Sequence, residues 1–153
     1  MSTDELEEMG PVDYLLIEWP GRQPTGEAAP IFVDLVERGI VRLIDVAFMT
    51  KAEDGSVAVL DVDALGQQVE ELKMFEGASS GLLADDDTAE AAEALAPGTS
   101  AALLVYENRW AAPFAATIRR SGGQLVANGR IPVQALVAAL DAAEEAEAAA
   151  TKS

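Results

Sequence analysis

Tyr14-Leu15-Leu16-Ile17-Glu18-Trp19 and Leu103-Leu104-Val105-Tyr106-Glu107 decide how this chain reads. Each is an apolar run closed by a glutamate. The first continues through Ala28-Ala29-Pro30, an apolar helical stretch to Arg38, Gly39, and a second apolar run from Ile40 to Met49. The second continues through Trp110-Ala111-Ala112-Pro113, a helical stretch to Arg120, Gly122-Gly123, and a run from Gln124 to Ile131. The two tryptophans of the chain, Trp19 and Trp110, hold equivalent places. A repeated strand-helix-strand unit of this kind predicts an α+β fold made from two copies of one supersecondary motif.

Right-handed crossovers leave a gap between the two strands of each unit, and each repeat can fill the other's gap. The expectation is therefore a ferredoxin-like, five-stranded antiparallel sheet in the order fifth, first, fourth, second, third. Its strands would be Val12–Trp19, Ile40–Thr50, Val57–Asp61, Ser100–Glu107 and Gln124–Ile131. Asp54-Gly55 supplies the turn between the second and third. Between the repeats the spacing predicts inserted helices, over Ala64–Phe75 with Asp63 as cap and from Asp85 to about Leu95. A last helix from Pro132 has Val133, Leu136, Val137 and Leu140 on one face. Residues 1–10 read as a disordered acidic tail, 11–146 as a single α+β domain and 147–153 as a frayed end.

Composition narrows the function classes. The 153 residues hold 27 acidic and 10 basic side chains, a formal net charge of −17. Nucleic acid and anionic membranes both attract bases, so neither partner is expected. The acidic start, Met1 to Met9, is unlike a signal peptide, and no run reaches the roughly 18–20 apolar residues of a membrane span. There is no cysteine and no histidine. Cytoplasmic residence is the expectation. Imidazole-based acid–base chemistry and Ser-His-Asp and Cys-His nucleophiles are excluded, and structural zinc is not expected. Asp61-Val62-Asp63 starts like a calcium loop, but Leu72 stands where the closing glutamate belongs. No catalytic residue, metal ligand or cofactor is expected.

Glu18, Trp19, Glu107 and Trp110 are the candidate ligand-binding residues. The two glutamates end antiparallel strands, so one protomer should hold them far apart. The doubly apolar strands Leu15–Ile17 and Ala101–Val105 read as central, covered on both faces. The repeat helices would cover one face; an inserted helix, the last helix or a second copy would cover the other. That predicts a homo-oligomer, dimeric or higher, and leaves room for a further protein partner. Three functions fit: a non-catalytic, soluble, self-associating module with a scaffolding or regulatory role; a small-molecule sensor or carrier with its ligand near Trp19 or Trp110; and a dimeric α+β barrel enzyme using Glu18, Glu107, Tyr14 or Tyr106.

Some segments carry a resemblance. They are Gly10-Pro11-Val12-Asp13-Tyr14, the run Gly39 to Phe48 with Asp54-Gly55, and Pro97-Gly98-Thr99-Ser100 leading to Leu104-Val105-Tyr106-Glu107-Asn108 and Trp110. Together they resemble an uncharacterised family of small acidic proteins of actinobacteria, over about Gly10 to Leu140. More distantly the chain is similar to a bacterial family of unknown function with a long glycine-rich apolar segment before the Pro-Gly-Thr-Ser motif, some of whose members are membrane-associated. Here that segment is Phe75 to Leu83, too short to span a bilayer. The resemblance implies no activity and assigns no functional residue.

Overall fold

The structure, a computed structural model, describes residues 8–21, 26–78, 80–83 and 85–151. Most of the expected acidic tail (1–7), the middle of the Pro20–Gly26 loop and residues 152 and 153 lie outside the described residues. The chain divides into two compact units, 1–122 and 123–153.

The first unit is an α+β sandwich on a four-stranded antiparallel sheet. Its strands are β1 (Val12–Pro20), β2 (Val41–Lys51), β3 (Val57–Leu60) and β4 (Thr99–Asn108), in the order β1-β4-β2-β3. The α-helices of this unit are α1 (Ala29–Glu37), α2 (Val62–Gln68), α3 (Asp85–Glu93) and α4 (Ala112–Arg120), joined by 3-10 segments at Glu70–Phe75 and Arg109–Ala111. Leu16 pairs with Leu103, which also pairs with Ala47, so β4 fills the gap that the β1-α1-β2 crossover leaves.

The five-stranded, ferredoxin-like expectation is corrected: residues 123–132 form no strand. Gln124-Leu125-Val126-Ala127-Asn128-Gly129-Arg130-Ile131 explains why. Its two consecutive apolar β-formers, Leu125 and Val126, are followed after Ala127 by Asn128-Gly129, a turn former, so no period-2 face develops before Pro132. With no fifth strand among the described residues, β1 is an edge strand rather than a central one, and β4 alone is buried along nearly its whole length.

Local chemistry sets the other boundaries. Pro30 opens α1, and Gly39, at φ +73°, ends it with its N–H donating to the Val36 carbonyl. The β2–β3 hairpin turns on Asp54-Gly55, where Asp54 Oδ1 accepts from both the N–H and the hydroxyl of Ser56. The single helix expected over 64–75 is two pieces, because Val69 is extended (φ −120°, ψ 104°) between α2 and the 3-10 segment. Its cap is Asp61 rather than Asp63: Asp61 Oδ1 accepts from the N–H groups of Asp63 and Ala64.

The alternation of β1 and β4 divides the core in two. On one face Ile17, Trp19, Val46, Phe48, Ala102 and Leu104 pack against α1, α2 and the 3-10 segment, with Phe75 edge-on to Phe48. On the other, Leu16, Ala47, Met49, Ala101 and Leu103 pack under Ala91, Ala92 and Leu95 of the α3 region. The repeat helices do not share the covering of one face: α1 packs on the sheet, whereas α4 buries only Ala116.

The second unit is irregular from 123 to 132 and then a single helix, α5 (Val133–Thr151). Among the described residues of that unit, none buries the stripe of Val133, Leu136, Val137 and Leu140. No helix among the described residues is long and apolar enough to cross a membrane.

Candidate functional site

The two glutamate–tryptophan pairs are not brought together. Glu18 stands opposite Ala101, so Glu107 lies six positions further along β4, about 20 Å at 3.3–3.4 Å per residue. Each carboxylate has structural work instead. Glu18 Oε2 accepts from the Ala96 N–H at 2.9 Å and holds the chain after α3 to the end of β1. Glu107 is 3% exposed. Its Oε2 accepts from the Gly10 N–H and its Oε1 from Arg42 Nε, both at 2.8 Å. Burial pushes its carboxyl pKa up. The Arg42 and Gly10 hydrogen bonds and the positive charges of Arg42 and Arg109 outweigh that, and hold it below the usual glutamate value. A carboxylate kept charged and doubly bonded is a clamp, not a poised base.

The tryptophans differ just as clearly. Trp110 is 67% exposed, its indole N–H donating to Asn108 Oδ1 at 3.3 Å. Trp19 is half-buried and lines a cavity of about 220 Å³ between the sheet and α1. The floor comes from alternate residues of neighbouring strands: Leu15 and Ile17 of β1, Ala102 and Leu104 of β4, Phe48 of β2. Phe32 and Leu35 of α1 and Phe75 of the 3-10 segment form the roof of this half-open space, and Gly26 and Ala28 stand at the end where the chain enters α1. Every lining side chain is apolar, Trp19 alone carrying a polar atom. Tyr106 stacks its edge on Phe32 at 6.0 Å and supports that roof from behind. A second, wider groove of about 600 Å³ opens on the opposite sheet face beside Tyr14.

Asp45 is a residue that the sequence reading missed. It is 1% exposed at the point where the β2–β4 register shifts. Its Oδ1 accepts from the N–H groups of Val46 and Ser80, and its Oδ2 from that of Leu83 at 2.7 Å. It thereby ties the chain before α3 to the sheet. The signal was available: one ionisable residue inside Leu43-Ile44-Asp45-Val46-Ala47-Phe48 must be paired if the strand is buried. Lys51 was missed too; its ammonium donates to the carbonyls of Ala92 and Leu95 at 3.0 and 3.1 Å, closing the end of α3. Among the described residues, no group of three or more acidic side chains is arranged to hold a metal ion.

The chain belongs to a family of unknown function, DUF6325, whose model matches residues 8–148. No curated protein and no solved structure matches it.

Proposed function

We propose that this member of the family is a non-catalytic binding module whose ligand is a compact, uncharged, apolar molecule held beneath α1. The observation that supports this reading is the cavity at Trp19. A half-open space of about 220 Å³ walled by Ile17, Trp19, Phe32, Phe75 and Leu104 offers water no side-chain hydrogen-bonding partner but the Trp19 indole N–H, and a concave site lined this way favours apolar guests. A cavity of about 150 Å³ accommodates benzene; by proportion this one suits roughly nine carbons. A charged ligand would lose its hydration for nothing in return. The non-catalytic part of the reading is supported by the two glutamates, each committed to a structural hydrogen bond.

Trp19 is a built-in reporter. With Trp110 replaced by Phe, n-propylbenzene should change the Trp19 emission saturably, and sodium benzoate should not. Equal responses to both, or no saturable response to n-propylbenzene up to its solubility limit, would remove the proposal.

A further inference from the structure

Asn128-Gly129, the pair that stops a fifth strand from forming, carries a chemistry of its own. It lies within residues 123–132, where neither helix nor strand forms, and both of its residues are exposed. The carboxamide carbon of an asparagine and the backbone nitrogen of the next residue need one new bond to close a five-membered ring. Glycine hinders that closure least, because no Cβ crowds its nitrogen. A fold suppresses the reaction in two ways. A backbone N–H engaged in a helix or ladder is not free to attack, and a side chain held by hydrogen bonds cannot turn onto it.

Neither restraint operates at Asn128. Among the described residues, no hydrogen bond engages the Gly129 N–H or the Asn128 carboxamide. A Cβ placed on Gly129 would meet nothing within 4 Å, so the surroundings are open. The chain's other asparagine is the contrast. The Asn108 amide donates to the Pro11 carbonyl at 3.2 Å and to Asp13 Oδ2 at 2.9 Å, and its oxygen accepts from the Trp110 indole N–H. Arg109, not glycine, follows it. Asp54-Gly55 could close the same ring from an aspartate. There the Ser56 hydroxyl and N–H bond to Asp54 Oδ1 and hold its carboxyl below the usual aspartate value. An ionised carboxylate resists attack.

We infer that Asn128 is a site of spontaneous deamidation in the folded chain. The Gly129 nitrogen gives its proton to hydroxide and bonds to Asn128 Cγ. The Cγ–Nδ2 bond breaks, and the amide nitrogen takes up a proton and leaves as ammonia. Water then opens the cyclic imide. Opening at Cγ gives aspartate; opening at the main-chain carbonyl gives isoaspartate, whose backbone runs through Cβ. The net reaction consumes one water and releases one ammonia. Either product adds one negative charge to a chain already at −17. Isoaspartate also adds a backbone carbon to the segment that leads into α5. The change is confined to the second unit.

Peptide mapping by mass spectrometry tests this on the full chain, incubated in mildly alkaline buffer. A capped synthetic peptide of residues 123–132 in the same buffer is the unrestrained reference. The fragment carrying Asn128 should gain one mass unit with time, faster as pH is raised. It should separate into two isomers, one of which accepts a methyl group from an isoaspartate-specific methyltransferase. The fragment carrying Asn108 should stay intact. The folded chain should react within an order of magnitude of the reference peptide. Asn128→Gln, which would need a six-membered ring, should lose the reaction, and Gly129→Ala should slow it severalfold. Both positions are exposed and outside helix and strand, so neither variant should move the urea midpoint of the first unit. An Asn128 that stays intact while the peptide reacts, a rate more than an order of magnitude below the peptide's, or loss at Asn108 that keeps pace with Asn128 would each overturn the inference.

Discussion

Replacing Asp45 by alanine should destabilise the first unit by about 3 kcal/mol. The Asp45 carboxylate, 1% exposed, accepts N–H groups from two distant positions, Ser80 at 2.8 Å and Leu83 at 2.7 Å, besides that of its neighbour Val46. A hydrogen bond to a charged group contributes about 1.5–3 kcal/mol net. Ser80 is exposed, so water can recover its N–H and the low end applies. Leu83 is half-buried and its N–H is lost less cheaply. The two together give about 3 kcal/mol. Asp45→Asn keeps one acceptor oxygen but turns an amide N–H₂ toward one of the donors, so its cost should be roughly 1.5–2 kcal/mol. Urea denaturation reads both: at a slope of about 1.5–2 kcal/mol per M, the alanine midpoint should fall by roughly 1.5–2 M with the slope unchanged. Amide exchange at Ser80 and Leu83 should quicken ahead of the sheet. An alanine variant within about 0.5 kcal/mol of wild type, or unaltered exchange at those two amides, would refute the reasoning.

The Glu107 clamp gives a pH-dependent prediction. Its carboxyl is lowered from the reference 4.5 in the folded state, so its contribution is complete above the unfolded value and is lost as pH falls through the folded one. Glu107→Gln should cost about 2 kcal/mol near neutral pH, and its gap to wild type should narrow progressively below about pH 5; a gap constant down to pH 3 contradicts the clamp. Gly10→Ala should lower stability by roughly 1–3 kcal/mol in thermal unfolding, because a Cβ there meets the Asn108 carbonyl oxygen and the Ala112 backbone; a neutral alanine would mean that the approach is not tight. Lys51→Met should cost about 1 kcal/mol, through the loss of its two carbonyl bonds at the end of α3, and an unchanged melting temperature would show that water replaces them.

Much of the sheet was legible because β1 and β4 carry unbroken apolar runs and β2 carries apolar residues on both sides of Asp45, and because Asp54-Gly55 has the chemistry its turn demands. The fifth strand was misread for a physical reason. Repetition made Gln124–Ile131 equivalent to Ile40–Met49, but equivalence in position carries no β-propensity, and Asn128-Gly129 ends the short apolar run Leu125-Val126-Ala127. The same symmetry suggested matched glutamate–tryptophan sites. In the structure Trp19 lines a cavity while Trp110 faces solvent, since α1 packs on the sheet and α4 does not. The doubly apolar character of Leu15-Leu16-Ile17 was read as the mark of a central strand. It reflects an edge strand with a cavity on one face and a groove on the other. Neither opening has a sequence signature, because each is assembled from residues brought together only by the fold.

Xenon is the most direct probe of the apolar cavity, since it binds by size and polarisability alone. In a crystal pressurised with xenon, one site should appear between Trp19, Phe75 and Ala102, and Ala102→Leu, which fills the floor, should abolish it. Ordered water in that space, or xenon density everywhere but beneath α1, would contradict the account.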